Sequence, residues 1–137
     1  MSLANATVAQ ILIPVEDFEK GMAFYRDVLG VPFLFNAPPQ MAFFQCGGVR
    51  LLVGPLPGDM KGRRGGEVYF RVPDIQETFA DLEKKAVRFR AAPHIVHRTP
   101  TSELWLAEFT DPDGNMLALM SETKPALGNR SADPAVE

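Results

Sequence analysis

Cysteine is nearly absent: Cys46 is the only one among 137 residues, so no internal disulfide and no Cys-rich zinc site can form. Its thiol lies in an apolar run with no basic residue beside it until Arg50, the setting of a buried, unreactive cysteine, and it fits a reducing, cytoplasmic location. Long apolar runs are missing too. The longest, Met116 to Met120, falls far short of the roughly 20 residues of a membrane helix, and the first residues lack the charged-then-apolar pattern of an export signal. Positive charge is not in surplus: fourteen Lys and Arg against seventeen Asp and Glu leave a net charge of −3, which argues against a nucleic-acid partner. The one basic cluster, Lys61 to Arg64, sits among glycines and reads as a solvated linker. What remains is a composition 46% apolar and 23% charged, that of one soluble globular domain able to bury its own core.

That domain is internally repeated. Gln10-Ile11-Leu12-Ile13-Pro14-Val15-Glu16-Asp17 matches Glu67-Val68-Tyr69-Phe70-Arg71-Val72-Pro73-Asp74, and each copy ends in an Asp suited to cap a helix. The helices match at the same offset. Phe18, Met22, Tyr25 and Leu29 form one helical face, and Ile75, Phe79, Leu82 and Ala86 repeat it. Asp74 and Glu77 add a capping-box pair. Gly30-Val31-Pro32-Phe33 then resembles Ala86-Val87-Arg88-Phe89 at an offset one residue shorter, so the second helix is expected to end a residue earlier, with Gly30 in the place of a left-handed helix stop. Three short β-type runs follow in each half: Phe33–Phe35, Met41–Cys46 and Val49–Val53, then Ile95–His97, Leu104–Phe109 and Met116–Met120. The reading is α+β, two βαβββ modules at about 7–54 and 66–121, a linker over 55–65 and a loose tail over 122–137.

Alternation assigns faces. Val68, Phe70 and Val72 alternate with Glu67, Tyr69 and Arg71, so the apolar set meets the helix and the polar set lines something else. In the first copy Ile11, Ile13 and Val15 turn to the helix while Gln10, Leu12 and Pro14 share the side of Glu67. If Phe109 faces the helices, Glu108 comes near Glu67, and two neighbouring carboxylates would raise one pKa enough for acid/base work; the alternative is an exposed strand residue paired with a Lys or Arg. His94 and His97, three apart on a strand, are expected on opposite faces and so cannot share one ion. His97 remains a candidate ligand contact.

The segments Ile13-Pro14-Val15-Glu16-Asp17 with Ala23-Phe24-Tyr25-Arg26-Asp27-Val28-Leu29-Gly30, and Ala107-Glu108-Phe109-Thr110-Asp111-Pro112-Asp113-Gly114-Asn115, carry a resemblance. The chain resembles the glyoxalase/bleomycin-resistance/dioxygenase family of the vicinal oxygen chelate superfamily. The resemblance implies a curved half-barrel cup whose concave face holds a ligand, commonly over a metal ion that chelates neighbouring substrate oxygens. It also implies metal ligands from the first and last strand of each module, here Gln10, Leu51, Glu67 and Ala118, with Leu51 and Ala118 as equivalent positions on one floor. Leu and Ala offer no donor, so the metal set is incomplete and no cofactor is expected, an atypical divalent-metal set being the alternative.

Three functions stay open. The first is a small-molecule binding protein using Gln10, Leu12, Leu51, His97, Glu108 and Ala118. The second is a lyase, isomerase or dioxygenase using an atypical metal set or metal-free acid/base residues such as Glu67 with Tyr69 and Arg71. The third is a structural or regulatory dimer whose cup is filled by Leu12, Leu51, Val53 and Met116. A homodimer is expected in each case because strand edges need covering; neither nucleic acid nor membrane is expected as a partner.

Overall fold

The computed structural model describes residues 4, 5, 7–56, 58 and 66–125; the basic cluster at 61–64, most of the linker and residues 126–137 lie outside the described residues. In the first module, strand β1 (Gln10–Pro14) leads through Asp17 into helix α1 (Phe18–Ala23), and the Asp17 side chain accepts the Lys20 amide at 3.2 Å. A wider π turn, Phe24–Val28, continues the helix and carries fully buried Tyr25. Strands β2 (Phe33–Ala37), β3 (Met41–Cys46) and β4 (Val49–Gly54) follow. The second module repeats the order with β5 (Val68–Arg71), α2 (Ile75–Lys84), β6 (His94–Arg98), β7 (Glu103–Thr110) and β8 (Met116–Thr123). Asp74 accepts the Glu77 amide at 3.1 Å, the half of the expected capping box that satisfies a free donor of α2.

Each module forms one four-stranded mixed sheet, ordered β1-β4-β3-β2 and β5-β8-β7-β6, with the first and last strands of the module paired in parallel at the sheet's centre or edge. Two βαβββ modules are therefore present. The chain divides into two compact units, residues 1–66 with 112–115 and residues 67–111 with 116–137. In the first unit Ile13, Phe18, Met22, Tyr25, Phe44, Leu51 and Val53 are buried against the helix, with the Tyr25 and Phe44 rings 6.2 Å apart. In the second, Phe79, Phe89 and Phe109 form a chain of edge-on and tilted ring contacts, with centroids 4.6 and 5.1 Å apart, beside buried Ile75, Leu82, Leu117 and Leu119. Burial of this kind is worth about 1.5–3 kcal/mol per large apolar side chain.

Residues 112–115, the Pro-Asp-Gly-Asn turn between β7 and β8, pack within the first unit. Asn115 donates to the Pro14 carbonyl at 2.8 Å, and Asp113 accepts the Glu16 amide at 3.0 Å. The turn thus satisfies the main chain where β1 ends. It also explains why Pro14, expected on the helix-free side of its strand, is buried.

Strand pairing corrects three expectations. Leu51 pairs with Ile11 and Phe44, not with Gln10, so it faces the helix and is 1% exposed. Val53, paired with Ile13 and Ala42, does the same, so neither residue can fill a ligand site. The position equivalent to Ala118 is Leu52, in register with Leu12 as Ala118 is with Tyr69. Next, β6 carries a register shift between Ile95 and His97, placing His94 opposite Leu106 and His97 opposite Leu104. Because opposed residues of an antiparallel pair share a face, both histidines lie on the same face rather than on opposite ones. Finally, β8 runs on to Thr123, paired with Glu103, so Glu122 and Thr123 belong to the sheet and not to the tail.

Candidate functional site

The helix-free face of the second sheet is built in rows across its strands. Tyr69, Ala118 and Glu108 are in register and form one row; Arg71, Met120, Leu106 and His94 form the next; Glu122, Leu104 and His97 form a third. Glu67 precedes β5 and, by alternation, shares the face of Tyr69. Ala118 is fully buried, so it provides a small floor between Tyr69 and Glu108 rather than surface for a ligand.

Glu67 and Glu108 come together there. Burial of the Glu67 carboxyl, its hydrogen bond to Glu108 and repulsion from Glu108 raise its pKa from 4.5 to about 7, while the Arg90 guanidinium pulls the other way. Loss of water and the neighbouring Glu108 carboxyl both favour the protonated form of Glu67. Oε2 of Glu67 is buried and has no hydrogen-bond partner among the described residues. Glu67, burial and Glu108 in turn raise the pKa of the half-exposed Tyr69 hydroxyl. Two carboxyl groups and a phenol therefore meet on one face.

Arg71 stands apart from that group. Its Nη2 pairs with Glu122 Oε1 at 3.3 Å, and both side chains are largely in solvent, beside an open recess of about 520 Å³ bounded by Val72, Pro73 and Ser121. An exposed pair of this kind contributes about 0–1 kcal/mol; Glu122 lies beyond the apolar run Met116–Met120, so no sequence signal marks it as a strand residue. Cys46 is half-buried, with its thiol pKa raised by burial, as expected of an unreactive cysteine.

The metal positions can now be tested against donor chemistry. With the register corrected they are Gln10, Leu52, Glu67 and Ala118, and leucine and alanine have no atom to give a cation. No group of three or more His, Cys, Asp and Glu able to hold a metal ion occurs among the described residues. The residues do not fit the metal ion of the resembled family.

Repetition of βαβββ with a mixed sheet and a single helix in each copy defines a protein of the paired-module class. The chain belongs to the Glyoxalase/Bleomycin resistance protein/Dioxygenase superfamily, whose family model matches residues 7–119. It is 30% identical over 123 residues to the uncharacterized protein YraH of Bacillus subtilis, a match covering 80% of this chain and 94% of that one. Similar solved structures include a superfamily member from Sphaerobacter thermophilus, 25% identical with a TM-score of 0.69 over 85% of this chain and 97% of that one. Others similar in fold are an antibiotic binding protein from Streptomyces (24%, TM-score 0.69, 89% and 100% covered) and a lactoylglutathione lyase from Agrobacterium tumefaciens (22%, TM-score 0.67, 86% and 95% covered). No helix among the described residues is long and apolar enough to cross a membrane.

Proposed function

We propose that this chain is a small-molecule binding protein that holds its ligand on the helix-free face of the second sheet, through Glu67, Glu108 and Tyr69, without a metal ion. The observation that carries the reading is the Glu67 carboxyl set beside Glu108, its Oε2 buried and without a partner among the described residues, on a face with no covering helix of its own module. Buried polar atoms are normally paired, and a ligand donor reaching Oε2 would remove the cost of leaving this one unmade. Leucine and alanine at two family metal positions support a metal-free site, and the antibiotic binding protein of the same fold supports binding as a role for such modules.

A ligand panel followed by thermal shift tests this. Ligands that raise Tm are expected, and Glu67→Gln and Glu108→Gln are expected to reduce that shift. A panel with no stabilising compound, or stabilisation untouched by either variant, would refute the reading.

The same pair favours a second reading. A carboxyl with a pKa near 7 is suited to general acid/base work at neutral pH, so a metal-free lyase or isomerase would use Glu67 as the proton-transfer group, with Glu108 tuning it. Turnover with a bell or step near pH 7 that vanishes in Glu67→Gln supports it; turnover unchanged in that variant excludes it.

We further propose a cytoplasmic homodimer, since β1 and β2 edge one sheet and β5 and β6 the other, each leaving main-chain groups open to pairing. Sedimentation equilibrium giving a monomer mass across micromolar concentrations would overturn that.

A further inference from the structure

The first sheet carries the opposite chemistry on its own helix-free face. Leu12, Leu52, Phe43 and Phe35 are in register across all four strands, β1-β4-β3-β2, and form one unbroken apolar row. Phe35 reaches that row only through the register shift after Phe33, which leaves Phe33 packed edge-on to core Phe44 at 5.5 Å and turns Phe35 to the other side. The Phe35 and Phe43 rings then stack at 4.8 Å with a 30° tilt. Along one side of the row runs a second, polar row of Gln10, Arg50 and Gln45. The Arg50 guanidinium lies over the Phe43 ring, 5.6 Å from its centroid, and has no carboxylate partner among the described residues.

A sheet face that met only water would place polar side chains at these positions. Here Leu12 is 38% and Phe35 47% exposed, so the row presents large apolar surface with one unneutralised cation at its margin. The equivalent row of the second module is Tyr69, Ala118 and Glu108, so the two copies differ, one row carrying a carboxylate and the other being wholly apolar.

We infer that the helix-free face of the first sheet is a binding site for a planar aromatic acid, its ring laid along Phe35, Phe43, Leu52 and Leu12 and its carboxylate on Arg50. Four strands at about 4.8 Å spacing give a row about 14 Å long, enough to seat two or three fused rings. Aromatic rings stack on Phe with offset geometry, and a guanidinium already seated over a ring is placed to take a carboxylate in a two-pronged hydrogen bond. A cationic ligand would be repelled by Arg50, and a neutral one would leave the guanidinium less well satisfied.

The inference rests on the reading that the chain binds small molecules but places this ligand class on different residues from Glu67 and Glu108. The test uses 2-naphthoate and its neutral analogue naphthalene-2-carboxamide, titrated into the full chain by calorimetry and by amide NMR. Naphthoate is expected to bind about tenfold more tightly than the amide, a difference of about 1.4 kcal/mol. Shifts are expected on β2, β3 and β4. Arg50→Gln, at an exposed position, is expected to erase the tenfold difference, and Phe43→Leu to weaken both compounds; circular dichroism confirms that each variant is folded. Equal binding of acid and amide, a tenfold preference that survives Arg50→Gln, or shifts confined to β5 and β8 would overturn the inference while leaving the Glu67 reading intact. A dimer that Phe35→Glu converts to monomer, with no naphthoate bound by the parent, would instead assign this face to a second copy of the chain.

Discussion

Ala86 follows α2 with φ +66°, in the left-handed region, as Gly30 does after the first helix with φ +72°. Gly30 is the helix stop expected of it, whereas Ala86, expected on the helical face of Ile75, Phe79 and Leu82, lies past the end of α2 and serves as the second stop. A Cβ there is strained by about 1–2 kcal/mol, which glycine avoids. Ala86→Gly is therefore expected to stabilise the chain by about 0.5–1 kcal/mol despite the extra freedom of the unfolded state. Gly30→Ala, whose added Cβ would meet nothing within 4 Å, is expected to lose about 1 kcal/mol from strain alone. Urea unfolding of both variants checks the pair. Glu67 makes a second residue-scale prediction. Its folded pKa lies above the ordinary 4.5, so between about pH 4.5 and 7 the folded chain holds a proton that the unfolded chain has lost. Its contribution is intact below pH 4.5, falls as pH rises to about 7, and is level above that. Glu67→Gln cannot ionise, so its stability relative to the parent is expected to climb from pH 5 to 7 and then hold. Unfolding midpoints at a series of pH values test this, and a constant difference would contradict the raised Glu67 pKa.

At the scale of elements, strand phase decides which residues reach the site. Around β5 the alternation of Glu67, Tyr69 and Arg71 with Val68, Phe70 and Val72 is clean, so its faces were legible in the sequence, and of the two readings open for Glu108 the structure has the one beside Glu67. In β4 the run Leu51-Leu52-Val53 is apolar at every position and carries no phase, so nothing in the sequence distinguished Leu51 from Leu52. Pairing with Ile11 and Phe44 sets it. The shifts in β2 and β6 were equally hidden, because a single extra residue leaves no mark on composition yet reverses every side chain beyond it; this is how Phe35 joined Phe43 and how His94 and His97 came to share a face. The phase of β4 is open to direct test. Leu51→Ala is expected to cost about 2–5 kcal/mol as a core truncation, and Leu52→Ala, only half-buried on the other face, much less. The reverse order would put the first sheet's faces the other way round.

For the molecule as a whole, the repeat was the most legible feature, because both copies kept the same strand, cap and helix positions. The role of the Asp-Pro-Asp-Gly-Asn turn was not legible, since its partners Pro14 and Glu16 lie about a hundred residues away in the chain. Asn115→Ala would leave the Pro14 carbonyl buried and unpaired and is expected to cost about 1–3 kcal/mol. Its unfolding free energy checks this, and a loss below a few tenths would show the turn to be incidental. The central claim is that the chain carries an organic ligand on a carboxyl-pair site and no metal ion. Native mass spectrometry of protein prepared without chelator measures both at once. The account predicts a chain mass with an organic adduct, diminished in Glu67→Gln, and no stoichiometric metal; a retained mass increment of one divalent ion per chain would contradict it.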